Sequence, residues 1–421
     1  MSDWIVRISL FINYFVFAML LNSVGTVILQ VQHSYGVSES SASVLEAFKD
    51  LPIAITSLLV ASFIVRIGYK RSMLCALGIV GLACLAMPSV PVFWMAKLLF
   101  AAVGVSFALV KVSVFATLGL ITKDRKEHVS LMNFLESFFM IGVMSGYFVF
   151  SAFVDDAEPG SAKWLDVYYL LALLSLAAFV LLAIAKIDES AVDSDESTPL
   201  SADFRAMLAL FAKPLVLIFA ISAFLYVLIE QSIMSWLPTF NSQMLHLSAS
   251  LSIQMASILA ASTALGRFAA GVVLRKLDWF AVLTVGLVSG AVLVVLVLPL
   301  ADRLGDAEVT RWVDAPLAAF IFPMIGFFIA PIYPAINSVV LSALPARRHA
   351  PMAGLIVVFS ALGGTFGSLI TGSLFEAFGG KTAFYCSLVP IAALLLALYL
   401  LRRGSVRADA SETGGIAADG I

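Results

Sequence analysis

Twelve apolar runs, each long enough to cross a bilayer as a helix, constrain this chain more than any motif in it. Crossing about 30 Å of hydrocarbon at 1.5 Å per residue takes roughly 20 residues. The runs 8–31, 43–65, 72–90, 93–121, 129–154, 166–186, 214–237, 250–274, 279–299, 316–344, 352–375 and 383–401 meet that length. Within lipid every backbone polar group must find an internal partner, so spans of this kind are helices. The chain is 61% hydrophobic and 12% charged, with a mean hydropathy of +1.03, whereas soluble domains run at about 45–50% apolar and about 25% charged. The sequence therefore predicts an all-α membrane protein and excludes a soluble enzyme. A net charge of -2 leaves no basic surface for nucleic acid. Cys75, Cys84 and Cys386 lie in apolar runs, with no spacing that suggests a disulfide, a metal site or any cofactor. The first run has no small-residue cleavage pattern at its end and reads as a retained helix.

Six runs precede and six follow one long polar stretch, 187–212, which is acidic and Ser-rich and then amphipathic. This predicts an N-terminal six-helix bundle over 1–186, a linker with a short interfacial helix over 187–212, a C-terminal six-helix bundle over 213–403 and a disordered tail over 404–421. Lys and Arg concentrate in alternate connections and at the termini, while the opposite connections hold only Lys163, Arg303, Arg311 and Lys381. Cations near span ends stay on the cytoplasmic side, so both termini are expected in the cytoplasm, with the protein in a bacterial inner membrane. The connections repeat as well: ASFIVRIGYKRSML after span 2 parallels GVVLRKLDWFAVL after span 8. Two duplicated bundles are a common plan of secondary transporters.

The sequence resembles the major facilitator superfamily from span 1 to span 12. That family carries a G-x-L-x-D-R-x-G-R/K-R/K signature between spans 2 and 3. Here Ala61, Val65, Arg66 and Gly68 occupy the corresponding places, with the basic pair Lys70 and Arg71 one position late. The resemblance implies twelve helices in two bundles and a cytoplasmic gate at Arg66, Gly68, Lys70 and Arg71. FLYVLIEQSIMSWLPTF in span 7, GRFAAG in span 8 and GFFIAPIYPAINS in span 10 resemble the fucose permease branch, which includes proton-coupled sugar symporters. Gly25 stands where such permeases carry a proton-linked Asp.

Charged residues inside spans are the most informative in the chain, because each costs about 2.5–3.5 kcal/mol even on insertion scales and faces protein or water. Lys111 in span 4 and Glu136 in span 5 fall at one depth of an antiparallel hairpin, where they can neutralise each other; protonated Glu136 would free Lys111 for an anion or hydroxyl. A static ion pair is the equal alternative. Glu230 lies near Gln231 and Trp236, a group able to hydrogen-bond and stack on a polyol, or an interfacial aromatic belt. Glu46 and Asp50 share a helix face with one Lys49 between them, which makes Asp50 a proton-coupling candidate; a partly wet outer gate is the structural alternative. Arg267 reads as a snorkelling or helix-bridging cation. Asn22 near the middle of span 1, and Tyr333 and Asn337 in the Pro-rich span 10, are further candidates for the cavity wall.

The expected function is secondary active transport by alternating access: proton-coupled uptake of a small polar solute such as a sugar, by a monomer. Glu136, Asp50 and Glu46 would carry the proton, and Asn22, Lys111, Glu230, Gln231, Trp236, Tyr333 and Asn337 would contact solute. Proton-driven efflux of amphipathic compounds is the second reading, and a membrane receptor or assembly subunit the third.

Overall fold

The structure is a computed structural model that describes residues 2–122, 125–187, 189, 214–303, 308–342 and 349–416. The linker expected over 187–212, with its interfacial helix, lies almost wholly outside the described residues. Side chains are described for most of the rest, Arg66 being an exception.

The first half holds α1 (Ser2–Leu21), α2 (Val24–Tyr35), α3 (Glu39–Ile67), α4 (Tyr69–Ser89), α5 (Phe93–Ile121), α6 (Arg125–Ser151) and α7 (Val167–Ile184). The second holds α8 (Pro214–Met234), α9 (Leu237–Leu245), α10 (Ala249–Val273), α11 (Trp279–Val297), α12 (Leu317–Ile321), α13 (Ile325–Ile329), α14 (Ile332–Ser342), α15 (His349–Tyr385) and α16 (Leu388–Ile416). Ten helical stretches among the described residues are long and apolar enough to cross a membrane. The charged α3 and α16, 29 residues each, complete twelve crossings. Large apolar side chains such as Leu82, Phe268 and Val285 cover the outside, as expected of a surface that meets lipid rather than water. α16 runs on to Ile416, so residues 404–416 extend a helix where a disordered tail was expected; Ala, Arg and Glu in RADASE favour that continuation.

Spans 1 and 7 are each broken in two, which the apolar runs do not reveal. α1 stops at Leu21, where the Ser23 hydroxyl and the Asn22 amide donate to the carbonyls of Leu20 and Ala18 at 2.8 and 2.9 Å. These side chains add a second, shorter bond to carbonyls whose backbone bonds at the break are stretched to 3.3 Å. α8 stops at Met234, and α9 begins with Pro238 in its first turn, a position where the missing N–H costs nothing. The second segments end alike, α2 at Gly36 with φ 59° and α9 at His246 with φ 54°. The matching breaks extend the internal repeat, and they touch: a Cβ on Gly25 would lie 2.8 Å from the Ser235 carbonyl oxygen. The glycine expected to replace a proton-linked Asp is the close-packing point of the two halves.

Span 10 is broken by its prolines as the sequence implies, into α12, a 3-10 turn at Phe322–Met324, α13 and α14. The Ser262 hydroxyl takes up the freed Pro323 carbonyl at 2.7 Å. Gly379, with φ 80°, turns the chain between spans 11 and 12.

Hydrogen bonds joining the halves gather at the end opposite Ser2. Gln243 donates to Gln32 at 3.3 Å and to Glu39 at 3.0 Å. The backbone of Ser40 donates to Glu376 at 3.0 Å, and Ser250 donates to Asp156 from both its backbone and its hydroxyl. At the basic end the hydrogen bonds and ion pairs among the described residues stay within one half. Arg7 pairs with Glu127 at 2.5 Å, Lys70 donates to the carbonyls of Ala183 and Ala185, and Arg402 pairs with Asp278 at 3.8 Å. Among the described residues the halves are clamped at the end opposite Ser2.

Candidate functional site

Between the halves lies a cavity of about 120 Å³, walled by Asn22 of the first break, Phe139, Met140 and Val143 of α6, and Glu230, Gln231, Ile233 and Met234 of α8. Leu259, Ala260, Thr263 and Arg267 of α10 and Ile329 of α13 close the remaining side. Three of the expected solute contacts, Asn22, Glu230 and Gln231, therefore meet in one place. The amide nitrogen of Asn22 is held by the Ala18 carbonyl, which aims its side chain from the helix break rather than from a continuous helix.

Arg267, expected to serve structure alone, is part of this wall. Gly266 lets α10 close on the Phe327 backbone, where a Cβ would come within 2.2 Å of its carbonyl. The next residue points about 100° further round the helix and so faces the cavity. The Arg267 guanidinium stands 3.7 Å from Glu230, with side chains 44% and 21% exposed. Tyr226 donates to the same Glu230 oxygen at 2.7 Å. Its ring stacks on Tyr333, with centroids 5.5 Å apart and 26° between planes, and Tyr333 shares a 2.9 Å hydrogen bond with Ser360. Tyr333 thus braces the site from behind. Asn337, one turn after Tyr333 on α14, has a buried side-chain carbonyl oxygen with no hydrogen-bond partner among the described residues. Tyr226 was missed in the sequence, although its i, i+4 spacing to Glu230 put both on one helix face.

Lys111 and Glu136 both have exposed side chains, and neither is part of the cavity wall itself. The expected closed ion pair is not formed, since no contact within 4 Å joins them among the described residues. They stand within electrostatic reach: Glu136 acts on Lys111, Tyr14 and Arg267. Lys111 rests above the Phe107 ring at 5.9 Å, and Phe107 packs on Phe139 at 6.1 Å. Glu136 continues the face of α6 that carries Met140 and Val143, at i+4 and i+7. Both charges are thus one residue removed from the cavity wall, Lys111 through Phe107 and Phe139 and Glu136 along the face of α6.

Trp236 does not contact the cavity. It is fully buried, donates from Nε1 to the Ser368 hydroxyl at 3.1 Å and packs on Phe375 at 5.0 Å. Its position just after the α8 break swings it into the clamped end. Glu46, Lys49 and Asp50 lie in the same interface, all nearly inaccessible. Lys49 pairs with Glu46 and lies 3.4 Å from Asp50. Asp50 abuts the α15 backbone, where a Cβ on Gly364 would meet it at 2.1 Å. At the basic end Gly68, with φ 92°, turns α3 into α4, and Arg71 is exposed. Glu189 supplies the carboxylate this turn lacks in its own sequence, accepting from the Lys70 backbone at 2.7 Å.

The profile of the Major Facilitator Superfamily matches residues 10–364. The chain belongs to that superfamily. No curated protein matches the sequence. Among solved facilitators, a bacterial homologue of the human lysosomal transporter Spinster, in an inward-facing and unoccupied conformation, is 13% identical. It covers 97% of this chain and 98% of its own, with a TM-score of 0.78. The nucleoside transporter NupG is 15% identical over 95% and 98% of the two chains, with a TM-score of 0.71. The fucose:proton symporter FucP of E. coli is 14% identical over 95% and 99%, with a TM-score of 0.59. At these identities the likeness establishes the shared facilitator fold, two bundles and twelve helices, as expected from the sequence.

Proposed function

We propose that this facilitator is a proton-coupled secondary transporter that takes up a small polar solute by alternating access. In this reading the basic end faces the cytoplasm, in line with its cation asymmetry, and is the end to which the cavity opens. One observation carries the reading: polar residues of both halves meet in one cavity, while among the described residues the hydrogen bonds joining the halves gather at one end of the interface. Rocking about the touching breaks at Gly25 and Ser235 would close the basic end and open the other.

Glu136 is the proposed proton carrier, because it is a carboxylate on the cavity-facing side of α6 with no hydrogen-bonded partner shown among the described residues. The Glu46–Lys49–Asp50 cluster is a second carrier: two buried carboxylates share one ammonium, so the clamped interface is electrically balanced when one of them holds a proton. The exchange of water for protein around this cluster would then follow the opening of the clamp. The test is accumulation and counterflow in proteoliposomes with an imposed pH gradient. Glu136→Gln should abolish proton-driven accumulation and spare exchange; accumulation at the normal rate would remove Glu136 from coupling.

A further inference from the structure

The charges around the cavity are unequally engaged, and the inequality bears on what the cavity takes; the inference rests on the transport reading and names its substrate class. Glu230 is already satisfied, by Tyr226 at 2.7 Å and by Arg267 at 3.7 Å. Arg267 has five donors, more than its contacts with Glu230 and Tyr226 use, and its side chain is 44% exposed in the cavity wall. Lys111 is exposed and has neither hydrogen bond nor ion pair among the described residues. The two cations come from opposite halves, and Glu136 is the carboxylate within electrostatic reach of both. Other charged groups on the surrounding helices are engaged elsewhere: Arg7 of α1 pairs with Glu127, and Lys97 of α5 lies over the rings of Phe93 and Trp94.

With Glu136 ionised the four charges balance. With Glu136 protonated they sum to one positive charge, held in a space whose wall is mostly apolar, including Phe139, Met140, Met234 and Leu259. Enclosing an unbalanced charge is costly, so a closing cavity selects a load that removes it. A neutral polyol leaves the excess in place. We propose that the substrate is a small organic monoanion with an apolar body, its carboxylate clamped between Lys111 and Arg267. A proton on Glu136 enters with it, which makes each cycle electroneutral. Because the clamp spans the halves, the anion itself would draw the basic end shut.

The test compares matched acid and neutral pairs on purified protein at pH 6: phenylacetate with phenylacetamide, lactate with lactamide, and glucuronate with glucose. A bound solute raises the melting temperature with the logarithm of its concentration relative to its dissociation constant. The expected result is a saturable rise with at least one acid and none with its neutral partner. That rise should weaken at least about tenfold in apparent affinity in Lys111→Gln and in Arg267→Gln, the size of a lost charge-assisted bond. Lys111→Arg and Arg267→Lys keep the charge and should retain binding, which covers the case of a glutamine variant that fails to fold. Equal stabilisation by a neutral partner, no stabilisation by any acid, or an acid effect that survives both glutamine variants would overturn the proposal. Counterflow of glucose with inert acids would overturn the substrate class and leave the transport reading standing; absence of exchange for every compound would remove both.

Discussion

The Ser235 hydroxyl donates to a carboxylate oxygen of Glu46 at 2.9 Å, and this bond runs from one half of the molecule to the other. It joins the α8 break to the buried cluster of α3. A hydrogen bond to a charged group contributes about 1.5–3 kcal/mol, so it is a strong fastening for one clamped state. Ser235→Ala should weaken the clamp by that order. Alkylation of a cysteine placed at buried Thr239 by an impermeant reagent would report it, rising in rate; an unchanged rate would show that the bond does not hold the clamp.

Gly25 supplies the complementary test. A Cβ there would stand 2.8 Å from a backbone oxygen that has no side chain to move aside. Gly25→Val should disfavour the clamped state by about 1–3 kcal/mol, the usual cost of overpacking, and raise Thr239→Cys alkylation in the same way. The two substitutions act at one contact, so their effects should fall short of additive.

His33 lies beyond the first span, at the clamped end, and its burial holds the imidazole below the ordinary 6.5. The unfolded chain therefore takes up a proton before the folded one does. The stability this residue confers is full above about pH 6.5 and declines as pH falls through that value toward the folded one. Thermal melts of the wild type and of His33→Gln should diverge least at pH 7.5, with the wild type losing relative stability by pH 5.5. Parallel curves would show that His33 does not titrate differently on folding.

The bundle architecture was legible because crossing a bilayer demands length and apolarity, which are visible one residue at a time. The depth of Glu230, Gln231 and Asn22 was legible for a related reason: rise per residue fixes height along a helix. Azimuth was not. Arg267 could equally have faced lipid until Gly266 was seen to pack on Phe327, and Trp236 left the cavity because α8 breaks one residue before it. The α8 break does carry a local signal, because the Pro238 ring excludes a helical bond to the Met234 carbonyl where the helix stops; the break at Asn22 has no proline to mark it. Lys111 and Glu136 share the region expected of them, yet stand apart instead of pairing.

Alternation itself is the central claim, and one cross-link tests it most directly. The hydroxyls of Ser40 on α3 and Ser373 on α15 lie 3.5 Å apart across the clamped end, close enough for cysteines at both sites to bridge. In a background without Cys75, Cys84 and Cys386, oxidised Ser40→Cys/Ser373→Cys should bind solute from the basic side and carry out no exchange, with exchange restored by a reductant. Full exchange by the cross-linked protein would contradict the account, because solute would then be crossing without the clamp ever opening.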